Sequence, residues 1–373
     1  MYIFNFFIFN NFNQKKMKKK LFYFVGVLLI FISGLLTERF QLDNRLISFS
    51  KLGIDNVYRF FYSFSNNKKV EIFIDQKEYN KILTTRKKAM EKGLLQEQMQ
   101  TWAEANLISE NSKRDIRVRL KGVFPDHWQD NKRWSFKVRV KNNSKNFNDF
   151  SRFNLQPPET SSFIYEWLLM KALDKENLIS LKTDYYDLFI NGTSRGLYMF
   201  QGGISKQILD LNKRKIGPIV GFSKQLFLRE YERSQELVKK GLTGSLNSTE
   251  DSFFRSKIEP VQFSFKDNNE EQKKYLKKAI LLLESFRNGD KKPSEVFELE
   301  KLIKIMVIRA LLGSSEFDYR DTKFYFNPNT QLLEPITKES HVDLNLNFKD
   351  HYFSWWIDST NIKPHRPSNK NFS

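Results

Sequence analysis

The stretch Thr183–Phe200, TDYYDLFINGTSRGLYMF, carries the clearest structural signal in the chain. Two runs rich in Tyr, Phe, Leu and Ile flank Asn191-Gly192, and Gly196 lies early in the second run. Asn-Gly between β-forming runs is a strong hairpin signal, because both residues tolerate the positive φ of a type I′ turn. The linker from Asn191 to Arg195 exceeds two residues, so a longer hairpin with a bulge is an equal alternative. The stretch therefore predicts two antiparallel strands.

Strands and helices are predicted on both sides of this hairpin. Alternation of polar and apolar residues predicts strands at Val70–Asp75, Ile116–Lys121 and Trp134–Val140. Apolar residues at helical spacing predict helices at Ser161–Leu173, Gln272–Phe286 and Glu298–Leu312, and turn residues predict a closing hairpin around Pro328-Asn329-Thr330. Residues 223–268 give no clear pattern. Because strands and helices do not alternate strictly, the order predicts an α+β fold and not a parallel α/β fold.

The composition limits the classes of function. The chain has 373 residues, with 62 Lys and Arg against 43 Asp and Glu, which gives a formal net charge of +19. Such an excess suits nucleic acid, anionic lipid or phosphorylated ligands. The positive charges are scattered along the chain, however, so we expect no nucleic-acid partner. Cysteine is absent, which excludes disulfides, thiolate metal sites and cysteine nucleophiles.

The N-terminal region predicts a membrane anchor. A lysine cluster precedes the uncharged run Leu21–Leu36, which would span about 24 Å as a helix. Snorkelling of the flanking lysines could make up the missing length. The run lacks a small-residue cleavage site, which favours an uncleaved anchor over a signal peptide. The lysines should remain in the cytoplasm. The chain is therefore predicted to be a single-pass membrane protein with its folded part outside the cytoplasm.

Several motifs occur in a specific order along the rest of the chain. They are RVRLKG (Arg117–Gly122), DHW (Asp126–Trp128), KRWSFKVRV (Lys132–Val140), FNLQPP (Phe153–Pro158), YEWLL (Tyr165–Leu169), the hairpin, EFDYRDTKFYFNP (Glu316–Pro328) and LLEPI (Leu332–Ile336). In this order the sequence resembles the CotH (spore-coat protein H) kinase family from Val70 to Ile336. The resemblance implies an atypical protein-kinase-like fold, in which strands hold ATP and acidic side chains hold Mg²⁺ or Mn²⁺.

The resemblance also implies roles for individual residues. Lys132 and Arg133 match a basic pair that would contact nucleotide phosphates, and Glu166 matches a helix glutamate that would pair with one of them. Asp318 matches a carboxylate that would accept the proton of a substrate hydroxyl. The alternative is structural: Lys132 and Arg133 would be solvated loop charges, Glu166 a surface helix residue and Asp318 a cap.

Five positions depart from the family pattern. Arg320 and Lys323 replace a histidine and a metal-facing asparagine, and Gln201 stands near an expected glutamate. Glu339 and His341 occupy the positions of two metal-binding aspartates. Glutamate suits Mg²⁺, whereas histidine suits softer metals. Lys323, in place of the metal-facing asparagine, would repel a metal cation.

These departures leave two hypotheses. The first is a membrane-anchored enzyme of weakened activity that transfers a phosphoryl or nucleotidyl group from ATP to an envelope or protein substrate. The second is a catalytically inactive, pseudokinase-like envelope protein that binds a partner or polysaccharide.

The predicted organisation has five parts. They are a basic cytoplasmic segment at 1–20, a transmembrane anchor at 21–37, a membrane-proximal linker at 38–69, a CotH-like kinase domain at 70–345 and a C-terminal tail at 346–373, which is frayed or truncated. The first 16 residues are mostly Phe, Ile and Asn, which is consistent with a mis-assigned translation start or with a short interfacial segment.

Overall fold

The structure, a computed structural model, describes residues 68–110, 112–142, 144–242, 253–261, 270–314 and 319–338. The predicted cytoplasmic segment, the anchor, the linker up to residue 67 and the C-terminal tail lie outside these ranges. Within them, every helix is too short or too polar to cross a bilayer. Strands and helices are both abundant, which agrees with the predicted α+β class.

The described ranges contain the following elements. The strands are β1 (Lys69–Phe73), β2 (Ala103–Ser109), β3 (Ser112–Leu120), β4 (Phe136–Val140), β5 (Arg152–Gln156), β6 (Thr183–Ile190), β7 (Thr193–Gly202), β8 (Ile219–Phe222), β9 (Ile258–Pro260), β10 (Lys323–Phe326) and β11 (Leu333–Ile336). The α-helices are α1 (Gln76–Lys92), α2 (Tyr165–Lys175), α3 (Lys206–Leu211), α4 (Gln225–Lys239), α5 (Glu270–Arg287), α6 (Pro293–Val296) and α7 (Leu299–Leu311). The predicted strands, helices and closing hairpin are confirmed, with shifted ends.

The first part of the fold is a closed barrel in the order β1-β2-β3-β4-β5-β7-β6. Neighbouring strands are antiparallel, except that β6 closes the barrel by pairing in parallel with β1. Alternate side chains fill its interior, including Val118, Phe136 and Phe153. Because the barrel is closed, its strands have no free edge. The side chains at the remaining alternate positions of each strand face outwards.

The Asn191-Gly192 turn joins β6 to β7. Both residues have positive φ, 49° and 76°, and Ile190 pairs with Thr193, which fits a two-residue type I′ turn. The pairing then shifts register at a bulge, close to Gly196 with its φ of 80°. The two alternatives read from the sequence therefore occur together in one hairpin.

The side-chain amide of Asn191 ties this turn to the end of β1. Its Oδ1 accepts a hydrogen bond from Ile74 N at 2.8 Å, and its Nδ2 donates to Ile74 O at 2.9 Å. The backbone N of Asn191 donates to Ile72 O at 3.0 Å. The side-chain amide of Asn191 thus extends the hydrogen bonding between the parallel strands β1 and β6 by one residue.

Replacing Asn191 by glycine should lower the free energy of unfolding by about 1–3 kcal/mol, because the backbone groups of Ile74 lose their partners while the positive φ is retained. Asn191→Asp keeps the acceptor and loses the donor, so we expect an intermediate loss. Urea unfolding of the two variants measures both. Equal stability of Asn191→Gly and the parent would contradict this role of the amide.

The second part of the fold is an antiparallel sheet in the order β11-β10-β8-β9. Helices α5 and α7 pack against it through a core that includes Leu283, Leu302 and Phe324. A third core joins α2 to this sheet, where Leu169 packs in a cluster with Tyr325. Helix α2 therefore lies between the barrel and the second sheet.

Candidate functional site

A row of polar side chains crosses the outer surface of the barrel. Arg119 of β3 lies opposite Lys137 of β4, Lys137 opposite Asn154 of β5, and Asn154 opposite Gln201 of β7. Side chains alternate between the two surfaces of a strand, and the sequence neighbours of these residues fill the barrel. The four side chains therefore project from one surface.

Gln201 connects this row to α2 and to the end of β11. Its Nε2 donates to the Glu166 carboxylate and to Lys338 O, the latter at 2.6 Å, while its Oε1 accepts from Asn154 Nδ2 at 2.7 Å. Gln201 and Glu166 are 1% and 0% exposed. A buried amide network thus fixes a carboxylate in the first turn of α2, where the helix dipole stabilises negative charge.

A second buried amide, that of Gln156, lies on β5 beyond Asn154. The Lys121 ammonium, just after β3, donates to Gln156 Oε1, and Gln156 Nε2 donates to Ser161 Oγ. Gln156 and Ser161 are buried, whereas Lys121 is half-buried. The lysine therefore presents its charge from a fixed position.

Arg119, Lys121, Lys137 and Lys338 form what we call the basic cluster. Burial, followed by the positive charges of Arg119, Lys338, Lys121 and Arg139, lowers the pKa of Lys137 to about 7. Within the described part of the chain, Lys137 makes no hydrogen bond or ion pair. A lysine held among like charges is unfavourable unless an anion is bound.

The environment of Arg119 also indicates that the basic cluster binds an anion. Burial lowers its pKa, and its Nε is buried without a hydrogen-bond acceptor in the described residues. Its guanidinium lies 4.7 Å from the centre of the Trp102 ring, and that of Arg139 lies 4.6 Å from the same ring. Stacking on an aromatic ring leaves the N–H groups of a guanidinium available. The basic cluster is therefore suited to bind an oxyanion such as phosphate.

The other side of the site comes from the second sheet. Asp321, just before β10, forms ion pairs with Lys224 at 2.5 Å and with Lys338 at 3.2 Å. Its carboxylate is only 14% exposed. Lys323 Nζ donates to Arg320 O at 2.9 Å. Lysine ammonium groups therefore dominate this side as well.

A well-anchored loop, residues 121–135, joins β3 to β4 beside the cluster. Arg86 of α1 donates to the backbone carbonyls of Trp128, Gln129 and Asp130 at 2.7–3.0 Å. The Asp130 carboxylate accepts from two backbone N–H groups of its own loop, and these bonds hold its pKa below the usual range. The loop is thus fixed at several points.

Buried contacts also hold the middle of this loop. His127 is 7% exposed, and its Nδ1 lies 2.9 Å from Ser135 Oγ. Its ring fills the space over Gly122, where an added Cβ would lie 1.9 Å from His127 Cδ2. His127 is therefore a packing residue of the loop.

Three residues proposed from the sequence fall within the described part. Lys132 is exposed on the loop. Arg133 pairs with Glu159 at 3.2 Å and donates to Leu197 O at 2.9 Å, whereas Glu166 is contacted by Gln201. Glu166 is fully buried, so the alternative of a surface helix residue is wrong.

The other three, Asp318, Glu339 and His341, lie outside the described residues. The basic cluster and Asp321 were not among the sequence-based candidates. The alternation of polar and apolar residues in KVRV indicates that the side chains of Lys137 and Val138 face opposite surfaces of the strand. The position of Lys137 opposite Arg119, however, depends on the register between β3 and β4, which the sequence does not reveal.

Comparison with known proteins identifies the family. No curated protein matches the chain. The family model described as CotH kinase protein matches residues 118–361, which includes the basic cluster, Glu166 and Gln201. The motifs and this match, which spans more than half of the chain, agree, and the chain belongs to the CotH kinase protein family.

Proposed function

We propose that the basic cluster binds the phosphate groups of ATP, and that the chain is a CotH-like phosphotransferase or nucleotidyltransferase acting on an envelope or protein substrate. The observation that carries this proposal is the Arg119–Lys137 pair. These two half-buried cations face each other across β3 and β4, and Lys137 has no anionic partner among the described residues. A bound phosphate group would supply the missing negative charge.

The order of elements supports a kinase-like reading of the site. In protein kinases, a loop between two strands covers the phosphates, and a lysine on a nearby strand works with a helix glutamate. Here the loop joins β3 to β4, and Glu166 lies on α2 after β5. On β5, the strand before α2, the outward position is occupied by Asn154. Lys137 lies opposite Asn154 on the neighbouring strand β4, and it would supply the phosphate-binding ammonium.

The chemistry of this chain's own residues would be charge neutralisation and positioning, which dominate catalysis of phosphoryl transfer. The basic cluster would hold the phosphates, and the buried Gln201–Glu166 contact would fix the wall behind them. Asp318 remains the proposed acceptor of the substrate hydroxyl proton. The uncharged run at 21–37 supports a single-pass anchor with this domain outside the cytoplasm.

A second function, binding without catalysis, is favoured by one observation. Where the family places a histidine and an asparagine, the Arg320 guanidinium stacks on the Phe227 ring at 4.2 Å, and Lys323 Nζ donates to a backbone carbonyl. Both side chains thus have structural contacts. Incubation with ATP labelled in the γ or the α phosphate separates the possibilities: transfer of either label supports the enzyme, and ATP binding without transfer supports the binding protein.

The affinity for ATP should fall as pH rises through about 7, because Lys137 then loses its proton. With one linked proton, the decrease approaches roughly tenfold per pH unit above the pKa. Lys137→Arg keeps the charge, so its affinity should stay nearly constant from about pH 7 to 9. Lys137→Gln should bind roughly tenfold or more weakly at pH 6.5, with little pH dependence.

Titration calorimetry on the full-length chain in detergent micelles measures these affinities. Lys274→Gln on the exposed surface of α5 makes the same charge change and should leave ATP affinity unaltered. Arg119, Lys121, Arg139 and Lys338 surround Lys137 and remain in every variant. Parallel pH profiles for the parent and Lys137→Arg would exclude Lys137 as the titrating group.

A further inference from the structure

The resemblance to the family implies a divalent cation beside the phosphates, but the described side chains near the basic cluster do not suit one. Mg²⁺ and Mn²⁺ prefer several carboxylate, carbonyl or water oxygens. In the part of the chain that the structure describes, no group of three His, Cys, Asp or Glu side chains could hold a metal. Glu339 and His341 lie outside that part.

Asp321 is a carboxylate on this side of the site, and it is already neutralised. Lys224 and Lys338 contact it at 2.5 and 3.2 Å, so two ammonium groups share one carboxylate. A divalent cation at Asp321 would have to displace both lysines or lie beside them, and like charges at such distances repel strongly in a partly buried site. The geometry is that of an anion site with an internal counter-ion.

Lys323 adds a third ammonium group, and its position is built into the sheet. Its Nζ donates to Arg320 O at 2.9 Å, and its side chain crosses Gly221 of β8. A Cβ at Gly221 would lie 2.4 Å from Lys323 Cδ, so the glycine makes room for the lysine. Lys323 occupies the position at which the resemblance to the family places a metal-facing asparagine.

We infer that this site neutralises bound phosphate groups with its own ammonium and guanidinium groups, so that ATP binds without a divalent cation. The inference rests on the proposed function, because it concerns the same phosphates. Arg119, Lys121 and Lys137 contribute from the barrel, and Lys338 contributes from the end of β11. Asp321 holds Lys338 in the absence of ligand and competes with phosphate for it.

The test compares ATP binding with and without metal. Full-length chain in detergent micelles is titrated with ATP and with tripolyphosphate, in EDTA and in millimolar Mg²⁺ or Mn²⁺. We expect ATP to bind in EDTA at least as tightly as in metal, because Mg²⁺ or Mn²⁺ held by the phosphates would face the same ammonium groups. We also expect tripolyphosphate to compete with ATP in EDTA.

Two outcomes overturn the inference, and they differ in what they imply. Binding of ATP that is more than about threefold tighter in metal, a difference of 0.65 kcal/mol, removes the inference and leaves the proposed function standing. Absence of ATP binding under both conditions removes the proposed function as well.

Asp321→Asn provides an independent test in EDTA. Removal of the carboxylate releases Lys224 and Lys338, so ATP affinity should rise by about three- to tenfold. If Asp321 instead bound a metal required for ATP, the parent would not bind ATP in EDTA, and Asp321→Asn would weaken ATP binding in Mg²⁺ or Mn²⁺. Asp290→Asn, an exposed position between α5 and α6, has the same charge change and should have no effect. Thermal unfolding of both variants checks that they are folded.

Discussion

Glu334→Gln should lower the free energy of unfolding by about 3–5 kcal/mol, because it removes the buried carboxylate that bridges two partly buried cations. Glu334 lies on β11 within the LLEPI motif and is 0% exposed. Its carboxylate accepts hydrogen bonds from Arg214 at 2.9 and 2.7 Å and from Lys301 at 2.7 Å.

Both cations depend on this carboxylate. The Arg214 side chain is 10% exposed, and its hydrogen bond to Glu334 raises its pKa. Lys301 is 25% exposed and also pairs with Glu298 at 2.6 Å. Glutamine has nearly the same shape as glutamate, but it carries no charge. Its NH₂ group would replace one of the two oxygens that accept hydrogen bonds from Arg214 and Lys301. The variant therefore isolates the charge from the packing of β11.

Chemical denaturation of the parent and variant measures this loss. Glu300→Gln is the matched control, because Glu300 is 81% exposed and pairs with Lys304 at 3.1 Å along α7. An exposed pair of this kind contributes about 0–1 kcal/mol. Combining Glu334→Leu with Arg214→Met should recover much of the loss, since a buried pair can often be replaced by apolar residues. Equal effects of Glu334→Gln and Glu300→Gln would contradict the role of burial.

Local sequence patterns predicted much of the fold, whereas long-range pairing was beyond them. The β6–β7 hairpin follows from alternation and from Asn191-Gly192, and α7 follows from apolar spacing that ends before Gly313, which has a φ of 64°. Barrel closure was not predictable, because it pairs Ile72 with Ile190, far apart in the chain. No local signal reports such a contact.

Two unpredicted elements had misleading composition. Strand β2 reads AEANLIS, in which Ala, Glu and Leu favour helix, and its pairing with β1 and β3 overrides that propensity. Helix α4 is amphipathic, but it carries many charged residues and its buried residues are few, Phe227 and Ser234, so its stretch reads as polar in the sequence. Tertiary contacts therefore decided β2, whereas the helical period of α4 was present in the sequence but masked by charge.

The candidate site was predicted less well than the fold. Glu166 lies in a helix, as the sequence predicts, and the structure adds its contact with Gln201. Lys132 and Arg133 were chosen from the motif, yet the half-buried cation with no partner among the described residues is Lys137, five positions further on. Whether a strand lysine faces other cations depends on register, which one sequence does not reveal.

Gly122→Ala should lower the free energy of unfolding by about 3–5 kcal/mol, because two costs add at one position. Gly122 has a φ of 87°, which an L side chain rarely adopts, and its new Cβ would lie 1.9 Å from the His127 ring. His127 is buried and bonded to Ser135, so it cannot move aside without disturbing the loop.

Gly196→Ala separates the two costs. Gly196 has a similar φ of 80°, but nothing lies within 4 Å of a Cβ built there. It should therefore lose only the backbone term, about 1–2 kcal/mol, and both values come from urea unfolding. Gly122→Ala should also weaken ATP binding, because Lys121 N donates to Ser135 O at 2.8 Å and so shares the fate of the loop. If the two variants were equally stable, the His127 ring would have to move freely, and the loop would not hold Lys121 in the basic cluster.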